Sequence, residues 1–429
     1  MASAPPPVAL NGRLAVPIDI EQLVASVRFD VASRVADVSA RLELRLDGPS
    51  GCPVFDLRQP IGTASLDGAA LPPYALGHHD MGAGEDARMR VVDVTCSDGA
   101  RHLLELSYGL GTPEATGAPA IGWSAGGVSW DLLMSDLEPG RYLEMWFPAN
   151  LCHDTLRIEL DVEVTGTDRP HVLLANGAIE EHRKGAHWSV RYPRHYTSLS
   201  PLLVLVPADE VEVRRAQAVA GGSQLGLTVA ALAGPGTDLD AVVADTSAWL
   251  AYFAARYGRF PADEYLAVLW GEARGMEYDG ATTTSVPALE HEVFHSWFGR
   301  GVKPACASDG WIDEAMASWA TASRRAPAGR FQAEALGLDE PATVLYPAHP
   351  WSRHTPREAY TAGSRLLSGV AYLAGGAAQL RSALAAWYGA HGGGAASTQD
   401  LARHLGEWCG RDLSPWWDRY VHGADGATP

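Results

Sequence analysis

Leu289-Glu290-His291-Glu292-Val293-Phe294-His295-Ser296-Trp297-Phe298-Gly299 is the stretch on which the reading of this chain turns, together with a lone Glu314 placed 19 positions beyond His295. Residues four apart on an α-helix share a face, so His291 and His295 can direct two imidazoles at one point. That is the spacing of two zinc ligands. Glu292, one position on from the first ligand, lies beside that point, where its carboxylate can take a proton from an attacking water. The third ligand must come from elsewhere. Asp309-Gly310-Trp311-Ile312-Asp313-Glu314-Ala315-Met316-Ala317-Ser318-Trp319 reads as a second helix and carries Glu314. Two histidines and a glutamate leave one position of a tetrahedral Zn2+ open, as at a catalytic rather than a structural ion, one per chain. Ser285 as N-cap and Pro287 near the first helical position are expected to open the first helix, and Gly299 and Gly301 to close it. The plainer account of HExxH is a solvated helix that happens to carry two histidines; the correctly spaced Glu314 argues against it.

The run His291-Glu292-x-x-His295-x-Trp297-Phe298-Gly299, followed by Trp311-Ile312-Asp313-Glu314-Ala315, resembles the gluzincin zinc aminopeptidases related to aminopeptidase N, whose usual text is HExxHxWFG and then WLNEGFA. Weaker similarities follow in the family's order. Tyr257-Gly258-Arg259-Phe260-Pro261 and Gly275-Met276-Glu277 resemble its strand and GxMEN segments, and Tyr360-Thr361-Ala362-Gly363 its YxKG. Gly410-Arg411-Asp412-Leu413-Ser414 with Trp416-Trp417 resembles the end of its catalytic domain. Asp136-Leu137-Glu138-Pro139 and Trp146-Phe147-Pro148 resemble its QxEP and FPCxD segments. The similarity spans nearly the whole chain and is sharp over residues 277–360.

The resemblance implies catalytic roles for Glu292 as base and for Tyr360 as hydroxyl donor to a developing oxyanion. Thr355-Pro356-Arg357-Glu358 reads as a capping box that places Tyr360 in the first turns of a helix. It also implies that Gly275, Met276 and Glu277 bind substrate, and that Glu277 pairs with Glu138 from the N-terminal domain to match the ammonium charge of a free amino terminus.

The sequence departs from the family at the anchor. Tyr278 replaces the asparagine, Arg274 a glycine, Asp136 a glutamine, and Ala362 the lysine of YxKG; the segment from Glu277 to His291 is also shorter than usual. Three readings stand side by side: an aminopeptidase acting by zinc-activated water, a processing endopeptidase acting on a precursor or leader peptide, and a silent zinc-bearing peptide-binding module. Relatives continue into a helical C-terminal domain; this chain resembles a short form without it. Its cleft is then expected to be open, or covered by self-association or by a partner.

A formal charge of -18 argues against nucleic acid and anionic membrane as partners and favours basic or free-amine substrates, while the resemblance implies a peptide substrate. Of 33 basic residues only Lys184 and Lys303 are lysines, a skew that fits a GC-rich genome, so no single arginine is read as functional on that ground. Five scattered cysteines, Cys52, Cys96, Cys152, Cys306 and Cys409, without a CxxC, read as reduced thiols of a cytoplasmic protein. The start Met1-Ala2-Ser3-Ala4-Pro5-Pro6-Pro7 has neither the basic nor the apolar region of a signal peptide, and no run is apolar enough to span a bilayer.

A chain of 429 residues, 47% hydrophobic, is long enough for two or three domains. Residues 18–207 alternate, as in Val27-Arg28-Phe29-Asp30-Val31, Leu42-Glu43-Leu44-Arg45-Leu46 and Leu156-Arg157-Ile158-Glu159-Leu160-Asp161-Val162. Residues 1–208 therefore read as an antiparallel β-sandwich domain. After Ala208 the text turns helical, with an amphipathic helix over residues 238–257 and a strand at Tyr265-Leu266-Ala267-Val268-Leu269-Trp270. Residues 209–429 read as a thermolysin-like α+β zinc peptidase domain, giving a multidomain α and β protein. The glycine-rich residues 109–127 lack the lysine of a phosphate loop and read as a connection. His78-His79-Asp80 has no spacing that organises a second metal site.

Overall fold

The computed structural model describes residues 4–46, 48–111, 113, 121–150, 154–232, 236–270, 275–324 and 342–424. Cys152, Arg274 and much of the glycine-rich connection lie outside them. The chain divides into two compact units. One comprises Ala4–Glu212 with His349–Arg353; the other holds Val213–Ala348 and His354–Pro429.

The first unit is built on a twelve-stranded sheet and a four-stranded one. Its longest strand, Arg13–Asp30, pairs antiparallel with Val35–Leu46, which pairs antiparallel with Arg101–Gly109. Alternation decides the faces: Ala36, Val38, Ala40, Leu42, Leu44 and Leu46 are buried while most residues between them face solvent. The expectation of an all-antiparallel region needs correction, because Arg13–Asp30 pairs in parallel with Arg157–Thr165 and with Cys52–Phe55. Alternation fixes which side chains point inward but carries no information on strand direction.

The second correction concerns where the β-rich text ends. Val211–Ala220 and Ser223–Leu232 are two further strands, neighbours in a five-stranded sheet. Gly221 and Gly222, at φ +61° and +82°, make the tight turn between them, since a two-residue hairpin turn with both φ positive favours glycine. The Gly-Gly pair was the available signal. Ser223–Leu232, Glu264–Leu269 and Ala281–Thr284 run parallel, and Met276–Tyr278 lies antiparallel on the last of these.

The helix Leu239–Tyr257 begins where its cap stands: Asp238 accepts from the backbone N–H groups of Asp240 and Ala241. It buries Val242, Thr246, Leu250, Phe253 and Tyr257 at helical spacing. Phe253 and Tyr257 meet Phe294 edge-on at 5.3 and 5.4 Å, so this helix seats the one that carries the two histidines. No described helix is long and apolar enough to cross a membrane.

Candidate metal centre

The histidine helix is short, spanning Leu289–Phe294, with Ala288 rather than Ser285 as its N-cap. Ser285 leaves the strand Ala281–Thr284 buried, its hydroxyl without a hydrogen-bond partner, and Pro287 lies in a turn ahead of the helix. His295 keeps helical torsions just past the last turn, so the two imidazoles still share a face, with ring centroids 4.7 Å apart. Gly299, at φ +103°, ends the segment. The second helix, Trp311–Arg324, follows a 3-10 turn, Ala307–Gly310, and carries Glu314 on its first turn.

Glu314 Oε2 lies 3.0 Å from His291 Nε2 and 3.6 Å from His295 Nε2. Zinc bonds of about 2.0–2.1 Å in a tetrahedron put ligand atoms about 3.3 Å apart, so the three donors fit the ion. The electrostatic surroundings call for positive charge at this point. Desolvation and the neighbouring His295 push His291 down to about 3, leaving it a neutral base. Burial opposes charge on His295, but the carboxylates of Asp313, Glu277 and Glu314 hold its pKa well above the usual value. Its fully buried Nε2 has no hydrogen-bond partner. A cation at this point answers both the orphaned nitrogen and the acidic surroundings. Burial, with the charge of Glu277, raises Glu314 to about 7, although His295 and a bond from Tyr360 work against it.

Glu292 is 6% exposed, and burial lifts its pKa well above the usual carboxylate range, with Glu277 and Glu314 adding to the shift. Gly275 stands against it: a Cβ there would lie 1.9 Å from Glu292 Oε1. The next residues, Met276 and Glu277, are buried in the edge strand. Tyr360 ends a 3-10 turn, Arg357–Tyr360, and is not in the expected capped helix; Pro356 precedes the turn with no side-chain cap. Its hydroxyl donates to Glu314 Oε1, and its ring stacks on His291 at 6.0 Å. It thus sits at the centre.

Two residues that sequence reasoning passed over complete the site. Asp313 Oδ1 is bonded to His295 Nδ1, which leaves Nε2 for the ion. Arg300 Nη2 donates to Glu277 Oε1 at 2.7 Å and lies 3.4 Å from Asp313 Oδ2. The position of Asp313 beside the third ligand was its only signal; Arg300 had none. Burial raises Glu277, but the positive charges of His295 and Arg300 outweigh it and bring it to about 2. Glu138 belongs to the first unit, where Arg141 pairs with it at 2.6 Å. His78, on the strand His78–Asp80, faces Asp56 at 3.2 Å; the described residues offer metal-holding groups only around His295. Cys52, Cys96, Cys306 and Cys409 are free thiols.

No family model matches the sequence, and no curated protein does. The fold is similar to that of the M1 zinc metallopeptidase from Deinococcus radiodurans, with TM-score 0.67 and 18% identity over 96% of this chain and 95% of that one. A two-domain M1 zinc metallopeptidase variant bound to L-tryptophan gives 0.66 and 17%, over 96% of both chains. Legionella pneumophila aminopeptidase A, in complex with aspartic acid, gives 0.69 and 14%, over 94% of this chain and 49% of that one. At such identities the likeness is one of fold: a mixed α/β chain matching two-domain zinc peptidases nearly end to end.

Proposed function

We propose that this chain is a zinc-dependent peptidase that removes N-terminal residues from peptides, with His291, His295 and Glu314 as ligands. The observation that carries the reading is the orphaned, fully buried Nε2 of His295 facing Glu314 and His291. Zinc held there would supply Lewis acidity, lowering the pKa of a water to about 7 and polarising a carbonyl. The chain's own groups do the rest. Glu292, whose burial favours the protonated form, is suited to accept a proton from the attacking water and hand it to the leaving amine. Asp313 holds the tautomer of His295. Tyr360 places a hydroxyl beside the ligands, where a donor to an oxyanion is worth on the order of 10²–10³-fold in turnover. Removal of single residues is supported by fold neighbours whose structures hold a free amino acid, the product of such a reaction.

A second reading, cleavage within the chain, is favoured by one observation: the glutamate expected to take a substrate ammonium is already paired with Arg300. Mass spectrometry of peptides with free and with acetylated amino termini, using zinc-loaded protein and Glu292→Gln as control, decides between them. Stepwise loss from free peptides alone supports the first reading, and internal cuts in both sets the second. If Glu292→Gln cleaves as fast as the parent, the peptidase proposal fails.

A further inference from the structure

Arg300 emerges where the chain leaves the histidine helix, and its side chain is 3% exposed. Its Nη2 bridges two carboxylates, Glu277 at 2.7 Å and Asp313 at 3.4 Å, and Asp313 in turn is bonded to His295 Nδ1. Single oxygens of Glu277 and Asp313 and a ring nitrogen of His295 lie within 4.8 Å of one another. A carboxylate that takes up a substrate ammonium must reach the ligand, and breaking an existing buried ion pair to do so is costly. Glu277 is 2% exposed and is already in such a pair.

We infer that Arg300 is the permanent cation of Glu277, and that Glu277, Arg300 and Asp313 are positioning residues that hold the imidazole of His295, so that Glu277 does not recognise a substrate's amino terminus. The inference rests on the zinc-peptidase reading only for the role of His295. Three features of the chain serve this arrangement. The carboxylates outnumber the guanidinium two to one, which leaves net negative charge behind His295 to favour a cation at its far nitrogen. Gly299 clears the space, because a Cβ there would lie 2.0 Å from the Asp313 carboxylate. Glu277 is fixed by its strand, where it pairs with Thr282 in register. The consequence for substrates is that peptides with a blocked or extended amino terminus are not rejected at Glu277.

Glu277→Gln in the zinc-loaded protein tests this directly. On a peptide with a free amino terminus the loss should fall on kcat, with KM unchanged. Zinc affinity, read by competition with a chromophoric chelator, should weaken by about 10-fold or more. A selective rise in KM for free peptides with unchanged zinc affinity would overturn the inference. A second experiment needs neither zinc nor activity: melting temperatures of metal-free parent, Glu277→Gln, Arg300→Met and the double variant. The two losses should be strongly non-additive, the double variant melting above the sum of the single effects, because each single change strands a buried charge. Additive losses would remove the pair. Coupled melting in a protein that cleaves nothing would keep the network and sink the peptidase reading instead.

Discussion

Gly275 has a role set by what it lacks. A Cβ built on it falls 1.9 Å from Glu292 Oε1 and 2.5 Å from Cδ, so any side chain displaces the carboxylate from where it stands. Gly275→Ala is expected to retain zinc and to lose about 10²–10⁴-fold in turnover, the range that a positioned general base contributes. Metal content and steady-state rates check it, and an unimpaired Gly275→Ala would mean that the base works from another rotamer. The residues proposed to hold the ion were legible because that chemistry forces a spacing: His291 and His295 must be four apart on a helix. Asp313 and Arg300 were not, because the partners of a ligand are chosen by proximity in space. Arg300 meets Glu277 across 23 positions of sequence, and no periodicity records that meeting.

Among the elements, the turn that ends the histidine helix shapes the surroundings of His295 as firmly as the helix does. Gly299 holds φ +103°, a torsion that L side chains rarely adopt, and faces the Asp313 carboxylate at 2.0 Å from its would-be Cβ. Gly299→Ala should therefore push Asp313 away from His295 and weaken zinc binding by about 10–100-fold, as loss of a ligand's supporting hydrogen bond does. Chelator competition measures it; unchanged affinity would mean that Asp313 does not orient the ring. Element existence was largely readable, as the helix beginning after Asp238 shows. Element ends were less so. Thr355 and Glu358 have capping-box spacing, yet the hydroxyl of Thr355 faces Gly310, 2.7 Å from where a Cβ would stand, and the segment stays a 3-10 turn. Tertiary packing overrides the local signal there.

At the scale of the molecule, the path of the chain departs from any simple division at residue 208. His349–Arg353 belongs to the first unit although the sequence around it builds the second. Arg353 fixes that segment: its guanidinium reaches Asp56 and Glu144 at 3.1 Å each, and its backbone N–H donates to Asp86 at 3.0 Å. The reading of the arginines as compositional does not extend to this one. Arg353→Met leaves the buried Glu144 carboxylate without its guanidinium partner, while Asp56 keeps Arg58 at 2.7 Å, and should cost about 3–5 kcal/mol, seen as a lowered denaturation midpoint; a midpoint within error of the parent would show that the network adds nothing to stability.

Asp154 contributes to stability with a pH dependence whose sign follows from its burial. Burial lifts the carboxyl of Asp154 to about 6 from its ordinary 3.8, and the nearby Asp19 adds to the shift, while bonds from Asn150 and the Ile20 N–H only partly oppose it. The folded state thus holds this proton more tightly than the unfolded chain does. Between pH 3.8 and about 6 the unfolded state loses the proton first, so stability falls as pH rises through that window and the loss is complete above it. With allowance for residual exposure, the penalty is on the order of 2 kcal/mol. Asp154→Asn keeps an oxygen for the Ile20 N–H and removes the ionisation. Its melting temperature relative to the parent should be raised at pH 8 and little changed at pH 4. An equal difference at both values would mean that Asp154 ionises without penalty in the fold, and that any acid-side gain in stability comes from other carboxylates.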